Sequence, residues 1–194
     1  MPSLNMLVRD LNAGTVVGLG ALPPHNSTTG KNSALSLGHA VKYRYANCEA
    51  SISVTGRLSL RMADSITINS TYVFFEDNWT TISRFDLLRP LIVSDKFSGC
   101  AWKIFHAGSF FVGAHIARPG GASADANVHL MDDYAAQKGW TEIQHVPSRG
   151  VIGTGGATTV AMVTQLLGNR IDTVRLGLNG MGVAVVRDRF TASI

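Results

Sequence analysis

Two apolar runs separated by a turn-forming segment most restrict what this chain can fold into. The runs are Ala101 to Phe105 and Phe110 to Ile116, and Gly108 lies between them. Apolar runs of this length on either side of a glycine-containing turn are typical of a β-hairpin. We therefore expect two antiparallel strands in this part of the chain.

The hairpin decides which histidine lies near Cys100. If the turn is symmetric about Ala107 and Gly108, Cys100 directly faces His115. Directly opposed residues have Cβ atoms roughly 4.5 to 5.5 Å apart, the separation at which a thiol and an imidazole share a proton. His106 is further along the same strand as Cys100, roughly 20 Å away at about 3.3 Å per residue. We therefore expect His115, and not His106, beside the thiol.

The rest of the sequence predicts more strands than helices. Alternating apolar and polar residues from Ala40 to Phe75 predict three or four strands with one exposed face. The run Leu87 to Val93, interrupted by Pro90, predicts an edge or kinked strand. Ile171 to Leu178 and Val183 to Phe190, joined by an Asn-Gly turn, predict a second hairpin.

Two segments predict helices. Asn127 to Gly139 carries apolar residues at the spacing of one helical face, and Gly139 is a suitable C-terminal stop. The length of the segment Ala157 to Leu167 favours a helix, although its Thr and Val residues favour a strand. Between these two segments, Trp140 to Val146 predicts a short strand. The expected fold is α+β, with a β-sandwich-like core of mostly antiparallel strands flanked by a few helices, in one catalytic domain spanning 1–194.

Composition and motifs exclude several classes of function. The net charge is +4, but Lys and Arg form no cluster of the nucleic-acid-binding type. No apolar run approaches 20 residues, so we expect no membrane span, and the N-terminus is a poor secretory signal. Gly30-Lys31 lacks the remainder of a phosphate-binding loop, and no metal-binding motif is present. We therefore expect neither a metal nor a cofactor.

A cysteine opposite a histidine is the smallest set of side chains that can catalyse acyl transfer. The thiolate is the nucleophile, and the imidazole takes its proton and later protonates a leaving amine. Gly99 leaves room for a substrate carbonyl to approach the backbone, and the N–H of Cys100 is a candidate donor to an oxyanion. From these residues alone, the alternative stays open that Cys100 is a core cysteine beside a strand histidine.

The same residues carry a family resemblance. Ser98-Gly99-Cys100, followed by a hairpin and then His115, resembles the Cys/His glutamine deamidase toxins, most closely Burkholderia lethal factor. The Cys-to-His spacing is similar to that of the catalytic domain of cytotoxic necrotizing factor. Lethal factor has a hydroxyl residue six positions before the cysteine that orients the histidine, and Ser94 holds that position here. The chemotaxis deamidases have a related order, so a housekeeping enzyme remains an alternative.

The resemblance implies a function and a site. Cys100, His115 and Ser94 would be the nucleophile, the base and the orienting residue, with Ser98 and Gly99 at the substrate or oxyanion. The enzyme would be a monomer made in the bacterial cytoplasm and delivered into a host cell, where it deamidates a regulatory protein of the translation-factor or small-GTPase class.

Two loops are expected to select the target protein, namely Pro119 to Asp125 and Ser148 to Gly156.

The sequence leaves two alternatives to a deamidase. One is another Cys/His acyl-transfer enzyme, either a transglutaminase or a peptidase. The other is a non-enzymatic β-rich binding module, in which Cys100 is buried or forms a disulfide with Cys48.

Overall fold

Strands dominate the computed structural model, which describes residues 16–19, 22–23, 41–52, 57–63, 67–118, 125–149, 152–153, 156–179 and 183–194. These residues contain thirteen strands and one helix. The strands are β1 (Val16–Leu19), β2 (Val41–Tyr43), β3 (Tyr45–Ile52), β4 (Arg57–Met62), β5 (Ser70–Val73), β6 (Thr80–Phe85), β7 (Leu91–Phe97), β8 (Ala101–His106), β9 (Phe111–Ile116), β10 (Thr141–Pro147), β11 (Ala157–Leu167), β12 (Arg170–Asn179) and β13 (Val183–Ser193); helix α1 is Ala126–Gln137.

The strands form a closed barrel and a separate sheet. The barrel has the order β1-β13-β12-β11-β7-β5-β3-β4, and its neighbours are antiparallel except for the parallel pairs β1–β4 and β5–β7. The second sheet has the order β10-β8-β9-β6-β2, with β2 parallel to β6. The predicted α+β class with a β-rich core is confirmed, and the structure refines the expected sandwich to a barrel with a sheet packed on its wall. Of the few helices expected, the described residues contain one.

Three apolar clusters define the layers. The first, which includes Tyr72 and Val163, fills the barrel interior. The second, which includes Ile92 and Trp102, lies between the barrel wall and the five-stranded sheet. The third packs the opposite face of that sheet against α1 and includes the fully buried Met131. The five-stranded sheet is therefore covered on both faces, by the barrel on one side and by the helix on the other.

Local patterns predicted several elements correctly. Four strands lie between residues 41 and 73, and both predicted hairpins form, one of them from β12 and β13. The buried residues of α1 include the expected apolar face, and Gly139 follows the helix with a positive φ of 68°. The strand predicted at Trp140 to Val146 is β10. The Asn179-Gly180 turn lies partly outside the described residues.

The helix predicted for Ala157 to Leu167 is wrong, because this segment is strand β11. Ala161 and Val163 face the barrel interior, while Val160 and Met162 face the five-stranded sheet. A strand that is buried on both faces has apolar residues at consecutive positions, so the alternation that identifies a strand is lost.

The strand predicted as an edge or kinked strand around Pro90 does form, but its expected place at an edge is wrong. The strand β7 begins at Leu91, one residue after Pro90, and lies inside the barrel between β5 and β11. Proline is tolerated because it precedes the strand, and its carbonyl accepts a hydrogen bond from the N–H of Leu166 at 2.8 Å. Strand β6, which the sequence did not predict, is rich in buried Thr and Ser rather than in apolar residues.

A β-bulge at Lys96 sets the direction of two site side chains. Phe97 pairs with Val160 and Ser94 with Met162, so β7 has one residue more than β11 in this interval. Lys96 has a positive φ of 63°, which is uncommon for a residue other than glycine. Because of the extra residue, Ser94 and Phe97 face the five-stranded sheet although they are three positions apart.

We expect Lys96→Val to lower the free energy of unfolding by about 1 to 3 kcal/mol relative to Lys96→Gly, because a β-branched residue tolerates a positive φ least. Urea unfolding of the two variants measures this difference. Ser51→Val, at an exposed strand position, is the control and should change stability little. Equal stability of the Val and Gly variants would contradict the assignment of the bulge.

Candidate active site

The central hairpin turns one residue later than the sequence predicts. The N–H of Ala107 donates to the carbonyl of Phe110 at 2.9 Å, so that Gly108 and Ser109 are the two central residues of the turn. Gly108 has a positive φ of 79°, a conformation that is readily available only to glycine. The predicted symmetry about Ala107 and Gly108 is therefore wrong.

The shift changes the pairing of Cys100 but not its face. Trp102, and not Cys100, is directly opposite His115. Cys100 precedes β8 by one residue and belongs to the same apolar cluster as Trp102, between the barrel and the sheet. The register therefore places Cys100 and His115 as diagonal neighbours, for which Cα separations of roughly 7 to 8 Å are typical. His106 pairs with Phe111 at the other end of the hairpin, as expected of a residue remote from Cys100.

Aromatic rings hold the imidazole of His115. The ring of Phe97 stacks on it with centroids 3.7 Å apart and an interplanar angle of 4°. Phe75 lies 5.1 Å away at 42°. His115 is only 1% exposed. These contacts fix the plane of the ring, so its two nitrogens have defined directions.

Gly113 allows Trp102 to cross the hairpin beside His115. A Cβ atom at Gly113 would lie 2.9 Å from the Trp102 ring and 2.5 Å from the side chain of Ile92, which leaves no room for alanine. The indole N–H of Trp102 donates to Thr164 of β11 at 2.9 Å. The residue opposite His115 is thereby anchored to the barrel wall.

Ser94 determines the tautomer of His115. The buried Ser94 Oγ lies 2.8 Å from Nδ1 of His115 and 2.7 Å from the carbonyl oxygen of Val73. A hydroxyl has one proton, and the carbonyl of Val73 can only accept, so the Ser94 proton goes to that carbonyl. The Ser94 oxygen then accepts from Nδ1–H of His115. Nε2 carries no proton in this tautomer and is the basic nitrogen.

The turn before Cys100 is held by a residue that the sequence did not single out. The N–H of Gly99 donates to Ser148 Oγ at 3.0 Å, and Ser148 Oγ donates to the Cys100 carbonyl at 2.7 Å. Gly99 has a φ of 140°, and Ser98 is exposed. The N–H of Gly99, which was expected at the substrate or oxyanion together with Ser98, is thus bonded to Ser148, and the N–H of Cys100 is the better candidate for an oxyanion donor.

Burial keeps the Cys100 thiol neutral in the resting protein. It raises the pKa of Cys100, and backbone N–H groups of Arg118 and Ser98 offset only part of this effect. Burial also raises the pKa of Cys48, to about 12. Both cysteines are free, so the alternative of a disulfide between them is wrong. Cys48 lies inside the barrel and Cys100 outside its wall.

Helix α1 is tied to the segment that follows His115. Asn127, in its first turn, donates from Nδ2 to the carbonyl of Ala117 at 2.7 Å, and Arg118 forms an ion pair with Asp125.

Much of both loops expected to select the target lies outside the described residues, namely the segments 119–124, 150–151 and 154–155. Arg118, the residue before the first loop, interacts through its backbone with the Cys100 thiol, and Ser148, the first residue of the second loop, bonds the Cys100 carbonyl.

Other features of the described chain lie away from Cys100. Cavities of about 350 and 330 Å³ are lined by His106 with Thr141 and by Leu87 with Leu166, respectively, and neither includes a predicted site residue. No described group of His, Cys, Asp and Glu is arranged to hold a metal. No helix among the described residues has the length and apolar character needed to cross a membrane.

Comparison with known proteins gives no family for this chain. No model of a protein family matches it, and no curated protein is detectably similar. Any assignment of function therefore depends on the geometry of Ser94, Cys100 and His115.

We expect alkylation of Cys100 by iodoacetamide to become faster up to and beyond pH 9, because burial raises the pKa of this thiol and only the thiolate reacts. Cys48, whose pKa is about 12, should react much more slowly over the same range. Peptide mapping by mass spectrometry after timed alkylation distinguishes the two thiols. A rate for Cys100 that is already constant above pH 6 would instead indicate a stable thiolate–imidazolium pair.

Proposed function

We propose that this chain is a cysteine-dependent glutamine deamidase that acts on a protein substrate. The hydrogen bond between Ser94 and His115 is the observation that carries the proposal. It holds the imidazole in the tautomer with a basic Nε2, on the face of the hairpin that also carries Cys100. A hydroxyl that orients a histidine, with a cysteine as its diagonal neighbour on the same face, is the arrangement from which a general base can activate a thiol.

The first half-reaction forms a thioester. Nε2 of His115 takes the thiol proton as the sulfur of Cys100 attacks the carboxamide carbon of a glutamine side chain. The tetrahedral intermediate carries a negative oxygen, and the N–H of Cys100 stabilises it. His115 returns the proton to the nitrogen of the substrate, the C–N bond breaks, and ammonia leaves.

The second half-reaction restores the enzyme. His115 takes a proton from water, the resulting hydroxide attacks the thioester, and the C–S bond breaks to leave a glutamate carboxyl. Cys100 recovers its proton. Ser94 remains bonded to Nδ1 through both steps, so the same nitrogen of His115 handles every proton.

The raised pKa of Cys100 fits a general-base mechanism rather than a stored ion pair. A neutral thiol loses its proton to His115 only as the carbon–sulfur bond forms. The partner that stabilises the positive imidazole is the neutral hydroxyl of Ser94, which is weaker than a carboxylate. Proton transfer and attack are therefore coupled to the arrival of the substrate.

The biological setting follows from the resemblance and is part of the proposal. A deamidase of the toxin type would be delivered from a bacterial cytoplasm into a host cytosol, where it would modify a translation factor or a small GTPase. We propose that the loops Pro119 to Asp125 and Ser148 to Gly156 contact the protein around the target glutamine, because the backbone of Arg118, just before the first loop, interacts with the Cys100 thiol, and Ser148, the first residue of the second, bonds the carbonyl of Cys100.

A binding module without enzymatic activity is the second candidate, and the burial of Cys100 favours it. Cys100 is 5% exposed and packs in an apolar cluster, as a structural cysteine would. That role would not require the orienting contact between Ser94 and His115. A transglutaminase or a peptidase would use the same pair of residues on a different acceptor or bond.

Incubation of the wild-type chain with a eukaryotic cell lysate should convert specific glutamines to glutamate, and Cys100→Ser should abolish the conversion because it removes the nucleophile. Mass spectrometry of the lysate proteins measures the change. Cys48→Ser is the matched control and should retain activity, since Cys48 lies inside the barrel. New peptide termini would identify a peptidase and new cross-links a transglutaminase. Equal effects of wild type and Cys100→Ser would favour a binding module.

Ser94→Ala should lower the rate of deamidation by about a hundredfold, a typical size for a lost contribution to general acid–base catalysis, because Nδ1 loses the oxygen that sets its tautomer. Ser94→Thr keeps that oxygen and should retain most of the activity. The initial rate of glutamate formation in the lysate measures both variants. An active Ser94→Ala enzyme would show that Ser94 does not orient His115 during turnover.

A further inference from the structure

The geometry points to Ser148 as a positioning residue for the nucleophile: its hydroxyl holds the turn at Gly99 so that the thiol and the N–H of Cys100 face the substrate. The catalytic part of this inference rests on the proposed deamidase function. The hydrogen bonding of Ser148 to the turn does not depend on that function, and it is measurable without any substrate.

Ser148 makes three hydrogen bonds to the turn. Its Oγ accepts from the N–H of Gly99 at 3.0 Å and donates to the carbonyl of Cys100 at 2.7 Å, and its own N–H donates to that carbonyl at 3.2 Å. The side chain is fully buried. One hydroxyl thus joins both residues of the segment that carries the nucleophile.

Among the described residues, no side chain packs where a Cβ atom of Gly99 would lie. Its φ of 140° suits glycine, and a Cβ atom there would have no neighbour within 4 Å. The preceding residue, Ser98, is exposed. Glycine is the residue with the most conformational freedom, so hydrogen bonds contribute much to holding this turn, and the hydroxyl of Ser148 supplies two of them.

The barrel in turn anchors Ser148. Arg175 of β12 donates from Nη1 to the carbonyl of Pro147 at 2.6 Å and to that of Arg149 at 3.3 Å, on either side of Ser148. Asp188 of β13 accepts from Nε of the same arginine at 2.8 Å. The turn before Cys100 is therefore fixed to the rigid barrel through Ser148.

The test compares Ser148→Ala with Ser148→Thr in a Cys48→Ala background, where Cys100 is the remaining thiol. Alanine removes only one oxygen and introduces no clash, whereas threonine keeps the hydroxyl. Thr158→Ala is the matched control, because its hydroxyl also bonds a main-chain carbonyl, that of Leu178 at 3.4 Å, at an exposed position. Circular dichroism and thermal unfolding establish that each variant is folded.

In Ser148→Ala we expect amide hydrogen exchange at Gly99 to become at least about tenfold faster, because its N–H loses an acceptor. Alkylation of Cys100 at constant pH should become faster as the released turn exposes the thiol. Deamidation in the lysate should fall roughly ten- to a hundredfold, the cost of a misplaced reacting group. Ser148→Thr should restore all three, and Thr158→Ala should leave them at wild-type values. If Ser148→Thr lowers the stability of the fold, the rate of amide hydrogen exchange at Gly99 in Ser148→Ala still tests whether the hydroxyl holds the turn.

Unchanged exchange at Gly99 and unchanged alkylation of Cys100 in Ser148→Ala would overturn the inference. Changed exchange with full deamidation activity would overturn its catalytic part. If the wild-type chain itself does not deamidate, while Ser148→Ala alters both exchange and alkylation, the proposed function fails and the hold of Ser148 on the Cys100 turn is supported.

Discussion

Strand β7 is buried on both faces, and the candidate site depends on that constraint. Leu91 and Val93 face the barrel interior, while Ile92 and Ser94 face the five-stranded sheet. A hydroxyl buried between two sheets without a partner would cost about 1 to 3 kcal/mol. The contacts of Ser94 with the carbonyl of Val73 and with His115 avoid that cost. The hydrogen bonds that fix the direction of the imidazole therefore also satisfy a hydroxyl that is buried between the barrel and the sheet.

Features that depend on neighbouring residues were predictable from the sequence. Helix α1 was evident because Val128 and Met131 recur at the spacing of one helical face, and the central hairpin because Gly108 separates two apolar runs. Ser94 and His115 do meet in the structure. The predicted register of the hairpin was wrong, but Cys100 and His115 still lie on one face. The predicted and observed pairings differ by an even number of positions, and side chains along a strand alternate between faces with a period of two.

Features that depend on the whole fold were not predictable. Strand β11 lost its alternation because both of its faces are buried, and the bulge at Lys96 is visible only in the pairing of β7 with β11. Ser148 lies 48 positions from Cys100, in a segment with no motif, and its contact with the turn follows only from the pairing of β10 with β8. The position of the turn in the central hairpin depends on which residue adopts a positive φ. Several residues around Gly108 are compatible with a tight turn, so the sequence did not distinguish between neighbouring positions.

The burial of Cys100 also bears on the durability of the protein. Oxidants such as peroxide attack the thiolate, and a cysteine that is oxidised beyond sulfenic acid is lost irreversibly in most proteins. A site that held a permanent thiolate would be consumed wherever oxidants are present. Because burial raises the pKa of Cys100 and Ser94 supplies no negative charge to stabilise an imidazolium, the resting sulfur is protected chemically as well as sterically. For the proposed deamidase, the same packing would delay activation of the nucleophile and would preserve it until a substrate arrives.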